Sequence, residues 1–164
     1  MAKIKMYGTQ EYAIKLSKLS TNSQAVAEKA IQEAAGIIAN QVRANIQALP
    51  AVKDIENIKA YKEGRKAHLS IKQKQGLLES LGITPVALDN GFYNAKIGFD
   101  GYKGIRTKKY PKGQPNQLIA RVAESGSTYM DKTPFMRKAL TASRAKALQR
   151  MQEIIDNELE KIMK

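Results

Sequence analysis

Between residues 31 and 49 the apolar positions return at spacings of three and four: Ile31, Ala34, Ile38, Val42, Ile46 and Leu49. That period puts them on one face of a helix. Ser20-Thr21-Asn22-Ser23 offers N-cap residues before it, and Pro50 ends it. Ala27, Ala30, Ala35 and Ala39 lie beside the stripe and leave room for another helix or a sheet to approach closely. Upstream, residues 3–7 alternate basic and apolar as a short strand would. Thr9 is placed to cap a separate helix that begins at Gln10.

The middle of the chain is more broken. Asp54 is a cap for a helix through Ile58 and Tyr61, with Gly64 as its stop. Residues 72–82 read as a polar link and a short helical turn, with Leu77, Leu78 and Leu81 facing inward. The β signal is clearest at residues 83–88 and 92–99, which flank Asp89-Asn90-Gly91. Asn-Gly supplies the positive φ angles of a tight hairpin turn. Tyr93, Ala95, Ile97 and Phe99 form the inward face of the second strand. A short helix is expected over 118–124, stopped by Gly126. A long final helix starts with Thr133 as N-cap and Pro134 at its first position. Its stripe is Met136, Leu140, Leu148, Met151, Ile155, Leu159 and Ile162.

These elements predict an α+β domain spanning 1–164. Two long helices pack on a small antiparallel sheet that contains the 83–99 hairpin. If the last helix is continuous to Met163 it is about 45 Å long. A domain of this size has a radius of gyration of only about 15 Å. One end of that helix is therefore expected to project or to meet a neighbouring subunit.

Charge sharpens the picture. The 164 residues carry a formal net charge of +13. Residues 101–150 hold twelve Lys and Arg against two acids, Glu124 and Asp131. Within them, 100–117 is rich in glycine, proline and lysine and reads as an exposed basic arm. Arg106, Lys108, Lys109, Lys112, Arg121, Arg137, Lys138, Arg144, Lys146 and Arg150 are suited to phosphates or an acidic protein face. Tyr102, Tyr110 and Tyr129 lie among them as stacking partners.

Catalytic chemistry is hard to assemble from this sequence. It has no cysteine and one histidine, His68, so a conventional zinc or iron site is not expected. The glycines at 98, 101 and 104 lack a Walker ending or a dinucleotide fingerprint. Ser143 and Lys146 match an S-x-x-K pattern without the motifs that accompany it in acyl enzymes. No catalytic residue, cofactor or metal is expected, and a hydrolase using Ser143/Lys146 or His68 is the outlying alternative. The amino terminus MAKIKMYG has no apolar h-region, and no apolar run reaches membrane-spanning length. A cytoplasmic chain without a membrane is expected.

Three segments carry a family pattern: Gly76-Leu77-Leu78-Glu79-Ser80-Leu81, residues 120–127 (ARVAESGS) and residues 133–140 (TPFMRKAL). With the helix before them and the hairpin between, they resemble the tail-completion proteins of tailed bacteriophages and prophages, also described as neck, head–tail joining or minor tail components. The chain departs from the pattern at Gln75, where members commonly carry Thr, and at Ser125, where an aromatic often stands. Residues 50–72 look like an insertion. The resemblance implies a ring-forming virion protein at the neck or top of the tail, without catalysis and assembled in the bacterial host cytoplasm. Its implied partners are copies of itself, the adjoining head-connector and tail-terminator or tail-tube proteins, and non-specifically the passing DNA. Arg106, Lys108, Lys109, Tyr110, Lys112, Arg121, Arg137 and Lys138 are the assembly or DNA-contact candidates. Glu124, Gly126, Thr133, Pro134 and Phe135 are the motif residues expected to determine the fold. The competing expectation is a non-specific DNA-binding protein using residues 101–150.

Overall fold

A computed structural model describes residues 9–163 except 104, 105 and 107, with side chains described for 22–102, 106 and 108–162. The architecture is α+β. Helix α1 (Thr9–Ala48) is followed by α2 (Asp54–Lys62), α3 (Ile71–Ser80) and strands β1 (Leu81–Ile83), β2 (Ala87–Asp89), β3 (Phe92–Asn94) and β4 (Ile97–Phe99). Strands β5 (Tyr102–Lys103) and β6 (Gln114–Pro115), then α4 (Asn116–Ser125) and α5 (Met136–Met163), complete it. The expected strand at residues 3–7 falls outside the described residues.

Helices α1 and α5 pack antiparallel. Asn45 Nδ2 donates to the Phe135 carbonyl at one end, and Lys29 Nζ reaches Glu158 Oε1 at the other, both within 2.9 Å. The Ser20-Thr21-Asn22-Ser23 run does not divide α1, which is one helix of 40 residues. Cap formers are merely poor helix formers in an interior, and no Gly or Pro stands there to break the ladder. The projection expected of α5 belongs to α1 instead. Beyond the Lys29–Glu158 contact α1 continues for twenty residues and α5 for five. At 1.5 Å per residue, α1 outruns its partner by about 20 Å.

The seam between the two helices is built from small side chains. Ala30, Ala34, Ala35 and Ala39 of α1 are buried, as are Ala139, Ser143 and Ala147 of α5. The expected α5 stripe is thus corrected. Leu140 and Leu148 are 49% and 55% exposed, while positions one residue before each are buried. Alanine facing alanine lets the backbones approach, and a leucine row in the same place would hold them apart.

At the other end of the molecule the core widens. Val42, Ile46, Leu69, Leu77, Leu81, Phe99, Ile119 and Phe135 form one cluster. The rings of Phe99 and Phe135 meet edge to face, with centroids 6.0 Å apart. Phe135 is therefore anchored against Phe99 at the end of β4. Helix α3 begins earlier than the leucine pattern suggested. Ser70 and Gln73 form a reciprocal capping box there. Lys74 Nζ closes the C-terminal end of α1 by donating to the carbonyls of Gln47 and Leu49 at 2.8 and 2.7 Å. Residues 50–72 are tied to this body through the buried Leu69 and a parallel bridge from Ala67 to Met130, while a second bridge, Val52 to Ser70, closes the segment on itself.

The hairpin forms around Asn90 (φ +50°) and Gly91 (φ +82°), as the Asn-Gly pair requires. It is broken in the middle. Ile83 pairs Ile97 and Ala87 pairs Asn94, so three residues of one arm face two of the other. Pro85, which has no N–H to give a ladder, lies in that interval.

Candidate assembly surface

The basic arm is the first part of the surface, and the structure corrects its expected form. Residues 100–117 are not a plain loop: β5 and β6 pair antiparallel at its base, Tyr102 with Pro115 and Lys103 with Gln114. Asn116 fastens that base, donating from Nδ2 to the Asp100 carbonyl (2.7 Å) and from its backbone N to the Gly101 carbonyl (3.0 Å). Asn116 is buried, and Gln73 of α3 donates to Gln114 at 3.2 Å. With the helix expected only from 118, Asn116 falls in the arm, and its role depends on the fold bringing it to the carbonyls of Asp100 and Gly101.

The arm's cations remain outside this clasp. Arg106, Lys108, Lys109 and Lys112 are exposed and Tyr110 is half-buried. Lys109 Nζ sits 5.6 Å from the Tyr110 ring centroid, within cation–π range. Arg121 projects from the exposed side of α4, and Arg137 and Lys138 from the first turn of α5. The candidate cations therefore lie on three separate elements. None of Arg106, Lys108, Lys112, Arg121, Arg137 and Lys138 has an ion-pair partner among the described residues.

The motif residues, by contrast, converge on one junction between α4 and α5. Gly126 (φ +77°) ends α4, with its N–H donating to Val122. A Cβ on Gly126 would come within 3.0 Å of the Lys132 nitrogen, so both the angle and the space call for glycine. The roles expected of Thr133 and Pro134 are corrected. Helix α5 starts at Met136, later than predicted, and its cap comes from another helix. Glu124 accepts from the backbone N–H groups of Phe135 (2.7 Å), Met136 (2.9 Å) and Arg137 (3.0 Å). Thr133 works in the opposite direction, with its N–H and hydroxyl both donating to the Ala123 carbonyl at 2.7 and 3.2 Å. Each helix end is thus closed by a residue from beside the other. This also fills the α5 N-terminus, so Arg137 and Lys138 do not border an open anion-binding site there.

The residues weighed for catalysis are dispersed. The Ser143 hydroxyl donates to the Ala139 carbonyl at 2.7 Å and is buried in the α1–α5 seam, while Lys146 is exposed. His68 exchanges backbone hydrogen bonds with the Asn57 side chain, 2.9 Å each way. No helix among the described residues is long and apolar enough to cross a membrane. No family model, no curated protein and no solved structure matches the chain.

Proposed function

We propose that the chain is a structural virion protein of a tailed phage or prophage, forming part of the neck or tail-completion ring that joins the tail to the head connector. In this reading it has no catalytic role and needs no cofactor. It is assembled in the host cytoplasm, and its partners are copies of itself, the connector and the tail-terminator or tail-tube protein. The observation that carries the proposal is the convergence of the three motif segments. Leu77 from the first, Ala120 and Ala123 from the second and Phe135 and Ala139 from the third belong to one buried cluster. Glu124 and Thr133 bind the second and third directly. Segments far apart in sequence thus act as one structural unit, which is what a shared family pattern should mark. Antibody labelling of purified particles should place the chain at the head–tail junction. Label on the capsid wall or the distal tail would contradict the proposal.

The unpaired cations favour a second reading, non-specific contact with nucleic acid through residues 101–150. It predicts roughly micromolar affinity that falls steeply between about 50 and 200 mM salt. Neutralising Lys108, Lys109 and Lys112 together should weaken binding equally across sequences. Absence of DNA binding at the low-salt end would remove this reading and leave an acidic protein face as the arm's target.

A further inference from the structure

Helix α2 turns an apolar side away from the molecule. Its inward side is fixed, because Ala60 is buried and the Asn57 side chain exchanges hydrogen bonds with the backbone of His68. Ile55, Ile58 and Tyr61 follow one another at a spacing of three and form a row along the helix. They are 60%, 52% and 74% exposed. A solvated helix face is built from polar residues, so three large apolar side chains on a nine-residue helix mark a contact surface.

The charges beside this row identify what covers it. Asp54 and Glu56 stand in the first turn of α2, and Lys59 and Lys62 in the last. Asp54 is engaged with Lys72 of α3 at 3.2 Å. Glu56, Lys59 and Lys62 are exposed and have no ion-pair partner among the described residues. An acid toward one end and bases toward the other make the helix complementary to a reversed copy of itself. With two such helices antiparallel and Ile58 at the midpoint, Ile55 of each lies opposite Tyr61 of the other. Glu56 of each then comes beside Lys59 of the other. A parallel pair would set like charges together, at a cost.

We propose that two copies of the chain pair through α2, antiparallel across a two-fold axis at Ile58, with Glu56 of each copy meeting Lys59 of the other. The contact is isologous and is complete at two copies. It is distinct from the head-to-tail contacts that close a ring, so it goes beyond the neck reading and does not depend on it. The apolar row covers less than the roughly 800 Å² per partner of a stable complex, so a dissociation constant on the order of 0.1 mM is expected.

The absence of cysteine from the sequence makes cross-linking specific. Ile58→Cys should form disulfide-linked dimers on mild oxidation, because the two copies of this position meet at the axis. Ile55→Cys alone should not, since its two copies stand about 9 Å apart along the pair. Ile55→Cys mixed with Tyr61→Cys should cross-link again. In sedimentation of the full chain, Ile58→Asp should abolish the pair, and Ile58→Ala should weaken it about tenfold or more. Glu56→Lys and Lys59→Glu should each prevent pairing alone. Their mixture should pair, and so should a chain carrying both, in which the signs are exchanged and the complementarity is kept. The substituted side chains are exposed, so the variants should keep the wild-type melting temperature in dilute solution. A wild-type chain still monomeric at about millimolar concentration would overturn the proposal. So would an Ile55→Cys chain that cross-links as readily as the mixture, a charge-exchanged double variant that stays monomeric, or an α2 row that engages only lipid vesicles or another protein.

Discussion

The carboxylate of Glu124 lies 2.7 Å from the backbone nitrogen of Phe135, eleven residues away and across a helix boundary. The same side chain takes the next two amides of α5 as well. Three donors that the helix cannot satisfy internally are thus closed by one negative charge at the positive end of its dipole. The anchor of the core, Phe135, is positioned by a residue that is not itself in that core.

Removing this cap should be costly. Glu124→Ala is expected to destabilise the chain by about 1–3 kcal/mol. Glu124→Gln, which keeps one acceptor and loses the charge, should cost less. Urea unfolding monitored by circular dichroism would measure both. Equal stability of Glu124→Ala and wild type would show that the junction does not depend on the cap.

Gly126 tests the same junction from the other side. Its positive φ and the 3.0 Å approach of the Lys132 nitrogen leave no unstrained place for a methyl group. Gly126→Ala should therefore lower stability by more than about 1 kcal/mol. Gly36 has open space at its Cβ position and sits within α1. Gly36→Ala should be stabilising by about 0.5–1 kcal/mol.

The alanine seam makes a paired prediction. Ala139→Leu should destabilise by about 1–3 kcal/mol through overpacking. Leu140→Ala, one position along, should stay within about 0.5 kcal/mol of wild type. The reverse order would mean that the exposed leucines, and not the alanines, face α1.

At the far end of the seam, hydrogen bonds from Lys29 and Lys161 hold the Glu158 carboxyl below its ordinary value. A group with a lowered folded-state value stabilises the fold at pH above its unfolded value and loses that contribution as pH falls through the folded one. Acid should therefore loosen the Lys29–Glu158 end of α1 and α5, and Glu158→Gln should remove that part of the pH dependence. Thermal melts at neutral and acidic pH would show the two curves converge in acid. Unchanged pH dependence in Glu158→Gln would rule this out.

These particulars show what a sequence of this kind discloses. The Asn90-Gly91 turn, the Gly126 stop and the Val42–Ile46 core row were legible because each depends on residues within one turn or one helix face. The Ser70–Gln73 capping box was equally local and is written in the sequence, just upstream of the leucines that dominate its hydrophobic pattern. The Glu124 cap was not legible as a cap, since its partners lie eleven to thirteen residues on and only the fold joins them. The α5 face departs from the hydrophobic pattern for a related reason. Hydrophobicity favours Leu140 and Leu148, but close helix approach selects Ala139, Ser143 and Ala147. The basic arm was visible as composition, while its clasp depended on Asn116 meeting backbone carbonyls at Asp100 and Gly101.

The neck assignment is tested most directly by electron microscopy of particles assembled without this chain. The account predicts filled heads and finished tails that fail to join, with joining restored by wild-type chain. Intact, infectious particles formed in its absence would contradict it.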